Sequence, residues 1–160
     1  MNDCKGNLLD MFDEGAFDVI IHGCNCHKNM GGGIAYQIAQ RYEKVHLADD
    51  ATTMGDEGKL GTIDPVLMSG WWTKFFPFIF QRRYIVNAYT QYLPGADANL
   101  KAIYHTFANF ALDAEAKGWK NAKIGIPAIG CGIGGLTWPE VEEVIHATCS
   151  HLDITLVVYE

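Results

Sequence analysis

Residues 17–38 read Phe17-Asp18-Val19-Ile20-Ile21-His22-Gly23-Cys24-Asn25-Cys26-His27-Lys28-Asn29-Met30-Gly31-Gly32-Gly33-Ile34-Ala35-Tyr36-Gln37-Ile38. The run Phe17, Val19, Ile20, Ile21 is β-branched and apolar on both faces, and it lies between Gly15 and Gly23. A strand that shows no polar face is buried on both sides, as in a parallel or mixed sheet covered by two helical layers. Beyond Gly31-Gly32-Gly33, the apolar positions Ile34, Ala35, Ile38, Ala39 and Tyr42 recur at helical spacing, so a helix starts at the glycines. Strand, glycine-rich turn and helix in this order specify an α/β fold.

The rest of the chain repeats this alternation. Leu60–Met68 and Tyr84–Tyr89 read as strands, separated by the aromatic stretch Trp71–Phe80. The pairs Trp71-Trp72 and Phe75-Phe76 read first as core filling or a hydrophobic cap, with a partner surface or a flank for a ligand's ring as the other uses. Glu43–Lys59 is polar and reads as a surface connection with some helix. Leu100, Ile103, Tyr104, Phe107, Ala111 and Ala114 mark one face of a long helix, which Gly118 ends through a left-handed cap. Ile124, Ile126 and Pro127 form a short buried strand before a second glycine-rich loop, Ala128–Leu136. Thr137 is placed to cap the next helix, with Pro139 in its first turn and Glu140, Glu142 and Glu143 near its positive end. Thr155–Val158 closes the chain as a strand.

Composition excludes several function classes. The chain has 160 residues, 49% hydrophobic and 19% charged, with 12 Lys+Arg against 19 Asp+Glu and a formal net charge of −7. That is one domain with a real core, and its acidity argues against non-specific binding to nucleic-acid backbone. The most apolar stretch is interrupted by Lys74 and Pro77, far short of a spanning helix. No apolar leader follows Met1, which predicts a cytoplasmic protein. Five scattered cysteines, Cys4, Cys24, Cys26, Cys131 and Cys149, form no disulfide framework, so reduced thiols are expected.

Both glycine-rich loops follow a buried strand and precede a helix. Glycine lets backbone N–H groups converge, and a helix start adds partial positive charge, so each junction suits phosphate. In an open α/β sheet, loops at carboxyl ends of strands can face one crevice, and two such loops can clamp a diphosphate. No Gly-Lys-Ser/Thr follows either loop, and Gly31-Gly32-Gly33 fits the dinucleotide fingerprint poorly, which sets aside ATPase and dehydrogenase readings. Cys24-x-Cys26 with His22 and His27 lacks the usual zinc spacing and a fourth ligand, so no metal and no cofactor are expected. Cys131, beside phosphate-binding amides, reads as a packing residue or as a nucleophile.

Lys5-Gly6-Asn7-Leu8-Leu9, Ile21-His22-Gly23-Cys24-Asn25-Cys26, Gly31–Gln37 and Pro127–Gly134 together resemble a macro domain, the ADP-ribose-binding module. The N-terminal half is especially similar to the yeast-type ADP-ribose 1''-phosphate phosphatases. The resemblance implies a three-layer α/β/α fold with a mixed central sheet over residues 1–160. It implies a monomer that takes ADP-ribose or ADP-ribose 1''-phosphate as its small-molecule ligand. It places Asn7 and Leu8 at the adenine, where Asn7 would accept through its side-chain carbonyl. It places Asn25 at the distal ribose. Gly31, Gly32, Gly33, Ile34 and Ala35, with Ile129, Gly130, Cys131, Gly132, Ile133 and Gly134, correspond to the two phosphate loops.

Macro domains divide into readers, ADP-ribosyl hydrolases and the phosphatase, so side chains must decide. One hydrolase class uses a Lys and an Asp at positions that match Gln91 and Gly134; another places an Asp at the position of Ala35. The resemblance to the phosphatase puts the catalytic histidine at His22, beside Asn25, with His27 in the first loop as the other candidate. The acidic partner implicated in the phosphatase lies in a longer stretch that has no counterpart here. The sequence therefore predicts hydrolysis of ADP-ribose 1''-phosphate to ADP-ribose and phosphate, with a non-catalytic reader or an ADP-ribosyl hydrolase as the alternatives.

Overall fold

A computed structural model describes residues 1–68 and 82–160; the aromatic stretch Trp71–Phe80 lies outside them. In chain order the elements are β1 (Asn2–Lys5), α1 (Leu8–Asp13), β2 (Val19–Asn25), α2 (Gly33–Arg41), α3 (Glu43–Asp50), β3 (Ile63–Leu67), β4 (Tyr84–Gln91), α4 (Leu100–Ala116), β5 (Lys123–Ile126), α5 (Trp138–Cys149) and β6 (Asp153–Val158). The sheet runs β1-β6-β5-β2-β4-β3. Every neighbouring pair is parallel except β3 with β4. The sheet is therefore mixed, with its antiparallel strand at one edge.

Strand alternation divides the core into two layers. Val19 and Ile21 of β2 pack with Ile103, Phe107 and Phe110 of α4 and Val141 and Ile145 of α5. Ile20 and Cys24 face the other way, with Leu8, Leu9 and Phe12 of α1, Ile38 of α2 and Val45 of α3. This double covering is why β2 reads as unbroken apolar sequence. Among the described residues, no helix is long and apolar enough to cross a membrane.

Several expectations need correction. The strand β1 and the helix α1 have no counterpart in the sequence reading, because β1 is an edge strand with mostly exposed, polar side chains. On α4, Tyr104 is exposed, whereas Thr106 and Phe110 are buried. Gly118 does adopt the left-handed conformation, φ 74°, just past the end of that helix. Thr137 caps α5 within a capping box: its backbone N–H donates to Glu140 Oε2 at 3.2 Å. The hydroxyl and backbone of Thr137 hold the Glu140 carboxyl below its usual range.

The largest departure concerns Glu43–Lys59, which is far more than a surface connection. Asp49 on α3 is 1% exposed. It accepts from the Tyr89 hydroxyl at 2.9 Å and lies 3.8 Å from Lys59 Nζ. Lys59 Nζ also donates to Thr52 Oγ1 at 2.5 Å and stands 4.5 Å from the centre of the Tyr89 ring. Beside this group, His22 Nε2 donates to Asn87 Oδ1 at 2.7 Å, and Asn87 Nδ2 donates to the Val45 carbonyl of α3 at 3.4 Å. His22 and Asn87 are register partners on β2 and β4. A polar layer thus links the middle of the sheet to α3.

Two predictions follow from this layer. Asp49→Ala leaves Lys59 without its counter-charge in a poorly solvated place, and is expected to cost about 3 kcal/mol in urea denaturation; adding Lys59→Met should recover much of that loss. His22 has its pKa lowered to about 4 from 6.5, because burial penalises the imidazolium more than the hydrogen bonds to Asn87 and Gly23 favour it. Between pH 6.5 and about 4 the unfolded chain binds a proton there that the folded chain refuses, so stability falls as pH drops through that window and this contribution is flat below it. Wild type is expected to lose about 3 kcal/mol more than His22→Gln across the window. Parallel stability curves for the two proteins would show that His22 titrates normally.

Candidate functional site

A crevice of about 590 Å³ opens at the carboxyl ends of β5, β2 and β4, a volume in the range of small-molecule sites. One wall is the β2–α2 loop, with Asn25, Asn29, Gly31, Gly32, Gly33, Ile34 and Ala35. The opposite wall is the loop after β5, with Ile129, Gly130, Gly132, Ile133 and Gly134. Gly23, Thr90, Gln91, Pro94 and Gly95 complete the lining over β2 and β4. The two loops approach each other across the opening: the tip of Ile133 stands 2.9 Å from where a Cβ on Gly32 would lie.

The first wall offers unused backbone donors. Gly32 is the N-cap of α2 and has no side-chain cap hydrogen bond, and the first turn carries no acidic residue. The N–H groups of that turn have no partner within the helix and open on the crevice, with the positive end of the helix dipole behind them. In the second wall, Gly130 takes φ 75°, which lets the loop turn so that its carbonyl accepts from Leu136 N at 2.9 Å. Here the sequence expectation needs amending. Residues 130–134 line the crevice, but the helix after them does not add its dipole in the same way, because Glu140 and Thr137 already cap α5.

The lining carries no Asp, Glu, Lys, Arg or His among the described residues. In a chain of net charge −7, the acidic groups are kept off this surface, and an anion would meet amides rather than cations. Burial pushes the thiols of Cys24, Cys26 and Cys131 up, so none is poised as a thiolate. Cys131 donates to the Ile129 carbonyl at 3.4 Å and packs against the core, off the crevice.

The structure separates the expected site residues. His22 is 0% exposed and lies inside the sheet–α3 layer, where its ring holds Asn87 Oδ1, and it is not among the residues that line the crevice. His27 also leaves the site: its Nδ1 donates to the Tyr92 carbonyl at 2.9 Å and its ring meets the Tyr92 ring edge-on at 4.8 Å. Asn7 is the N-cap of α1, its Oδ1 accepting from Leu9 N at 3.0 Å and Asp10 N at 3.3 Å, and Leu8 is a core residue. Neither lines the crevice. Asn25 does, but its side chain ties the loop to itself: Oδ1 accepts from His27 N at 2.9 Å and Nδ2 donates to the Asn29 carbonyl at 2.7 Å.

Residues that the sequence reading did not select complete the crevice. Gln91 Nε2 donates to the carbonyls of Leu93 at 2.7 Å and Gly95 at 3.1 Å, and Asp97 Oδ2 accepts from Tyr92 N and Leu93 N, so the turn after β4 is braced from both ends. The Gly within Leu93-Pro94-Gly95-Ala96-Asp97 is a turn signal that could have pointed to a third loop at this edge.

A family model described as Macro domain matches residues 21–145. The chain is 33% identical over 157 residues, spanning 98% of it and 94% of the relative, to an uncharacterized 17.5 kDa protein from the tk-vs intergenic region of Enterobacteria phage T4. It is 31% identical over 175 residues, 98% of this chain and 96% of the relative, to an ADP-ribose 1''-phosphate phosphatase of Candida glabrata. Among solved structures it resembles the macrodomain of Thermus aquaticus DarG, with TM-score 0.75 and 23% identity over 99% of this chain and 97% of that one. With the sheet order, the two helical layers and the paired glycine-rich loops, these matches place the chain in the macro domain family.

Proposed function

We propose that this chain binds ADP-ribose, with the diphosphate held between the amides of Gly32–Ala35 and those of Gly130 and Gly132–Gly134, the Gly31 and Cys131 amides being committed to Asn29 Oδ1 and the Ala128 carbonyl. The observation that carries the reading is a crevice walled by two glycine-rich loops, one leading into the uncapped start of α2, with no charged side chain in its lining among the described residues. Amides and a helix dipole favour a diphosphate without the desolvation that buried Lys or Arg would bring. Gly31–Ala35, Ile129, Gly130 and Gly132–Gly134 are the contact residues; Asn25 shapes the first loop.

A second reading, hydrolysis of the phosphomonoester of ADP-ribose 1''-phosphate, is favoured by the Candida glabrata relative, which is similar over nearly its whole length. Water would attack the terminal phosphorus, the P–O ester bond would break, and the ester oxygen would leave on ADP-ribose with a proton from solvent. With no titratable side chain other than the buried Cys24 thiol in the described lining, acceleration would come from positioning and amide stabilisation of the phosphoryl charge. ADP-ribosyl hydrolysis is disfavoured by Gln91, Ala35 and Gly134, which stand where the related hydrolases carry Lys or Asp.

The test is calorimetric titration with ADP-ribose, alongside phosphate release from ADP-ribose 1''-phosphate. Saturable binding is expected. Gly134→Ala should weaken it roughly tenfold, about 1.4 kcal/mol, because a Cβ there would fall 2.7 Å from the Gly130 carbonyl oxygen and from Ala98 Cβ and would displace the loop. Phosphate release that survives His22→Gln in folded protein would support the second reading. Binding without release would leave a non-catalytic reader, and absence of binding would overturn both.

A further inference from the structure

The chain between β4 and α4 touches both glycine-rich walls. At the end of β4 the pairing with β2 slips, since Cys24 partners Tyr89 and Asn25 partners Gln91, and Thr90 is the extra residue of a bulge that bends the strand. The chain then doubles back. Gln91 forms an antiparallel bridge with Ala98, and Asn99 N donates to the Thr90 carbonyl at 3.0 Å, so residues 91–98 make a turn closed at its base.

One end of this turn holds the first wall. The Tyr92 carbonyl accepts from Cys26 N at 3.0 Å and from His27 Nδ1 at 2.9 Å. The other end holds the second wall. Ala98 N donates to the Gly134 carbonyl at 3.2 Å, and Ala98 Cβ stands 2.7 Å and 3.3 Å from where a Cβ would lie on Gly134 and on Gly130. A single carboxylate oxygen connects the two ends: Asp97 Oδ2 accepts from Tyr92 N at 3.0 Å and from Leu93 N at 2.7 Å. The residue that carries the first contact is thereby bonded to the chain neighbour of the residue that carries the second. Asp97 itself does not line the crevice.

We infer that Asp97 is a positioning residue, which makes the turn after β4 a strut between the two loops and so sets the separation of the walls that a diphosphate meets. The inference rests on the ADP-ribose reading above. Hydrogen bonds weaken steeply away from their preferred distance and angle, so amides on opposite walls serve one diphosphate only at one separation. An effect exerted through the walls is the same for every ligand that carries the diphosphate, whatever extends beyond it.

The wild-type chain, Asp97→Ala, Asp97→Asn and Asp97→Glu are titrated with ADP-ribose and with ADP, which ends at the diphosphate, at a temperature where melting curves show each to be folded. Asp97→Ala is expected to bind both nucleotides at least fivefold more weakly, by factors that agree within twofold. Asp97→Asn keeps an acceptor oxygen in place and should stay within threefold of wild type. Asp97→Glu keeps the charge but moves the oxygen by a methylene, and should lose at least fivefold for both; this pair decides the matter if Asp97→Ala does not fold. Adding Asp97→Ala to Gly134→Ala should weaken binding no more than twofold beyond Gly134→Ala alone, because both changes displace the same wall. Unchanged affinity in Asp97→Ala or Asp97→Glu, a loss in Asp97→Asn as large as theirs, a loss for ADP-ribose alone, or losses that multiply in the double variant would overturn the inference while leaving ADP-ribose binding intact. Wild type that binds neither nucleotide would overturn the functional reading and this inference together.

Discussion

The parallel pairing of β2 with β4, in register from Val19 with Tyr84 to Cys24 with Tyr89, is the constraint on which the rest of the structure depends. Parallel strands end on the same side, so the loops that follow β5, β2 and β4 must meet above one edge of the sheet. The pairing also decides what lies beneath that edge, because it sets His22 against Asn87 and makes Thr90 the residue left over where the register slips. Crevice, buried polar layer and bulge are three consequences of one alignment.

The crevice carries its chemistry in the backbone. A surface lysine or arginine attracts any anion at long range and weakens with salt, whereas converging amides act at contact distance and demand a shape. Keeping charged side chains out of the described lining makes recognition depend on where the two loops stand. Their positions are held by side chains that bond the loop backbone. Asn25 closes the first loop on itself, His27 ties it to the Tyr92 carbonyl, and Gln91 with Asp97 braces the third turn. In this arrangement Asn25 and His27, which look catalytic in the sequence, brace the first glycine-rich loop.

The layer of Asp49, Lys59, Tyr89, His22 and Asn87 follows a different logic. Burying an ion pair and an imidazole between sheet and helix contributes little net stability against an apolar filling of the same volume. Tyr89 and Asn87, however, reach Asp49 and the Val45 carbonyl only when α3 sits in one position over the sheet, so the layer selects that position against neighbouring ones. Burial within the layer also keeps the ring of His22 neutral through the physiological range.

Much of the architecture was legible in the sequence, because burial writes itself into the chain. Val19-Ile20-Ile21 could only be a strand covered on both faces, the apolar spacing from Ile34 to Tyr42 could only be a helix after the glycines, and Thr137 with Glu140 signalled a helix start. These are local patterns of period two or 3.6, and the glycine-rich loops were placed by them. Side-chain roles were not legible in the same way. Asn7, His22 and His27 have the right chemistry near the right motif, yet the structure turns Asn7 onto its own helix, His22 into the α3 layer and His27 onto Tyr92. The Asp49–Lys59 pair carries no sequence signal, since its partners lie across the sheet or at a distant turn. The sequence by itself determined which segments are strands, helices and glycine turns, because local burial and backbone freedom are properties of neighbours along the chain; only the tertiary structure decided which polar atoms face the crevice, because that depends on strand register and on contacts between residues far apart in sequence.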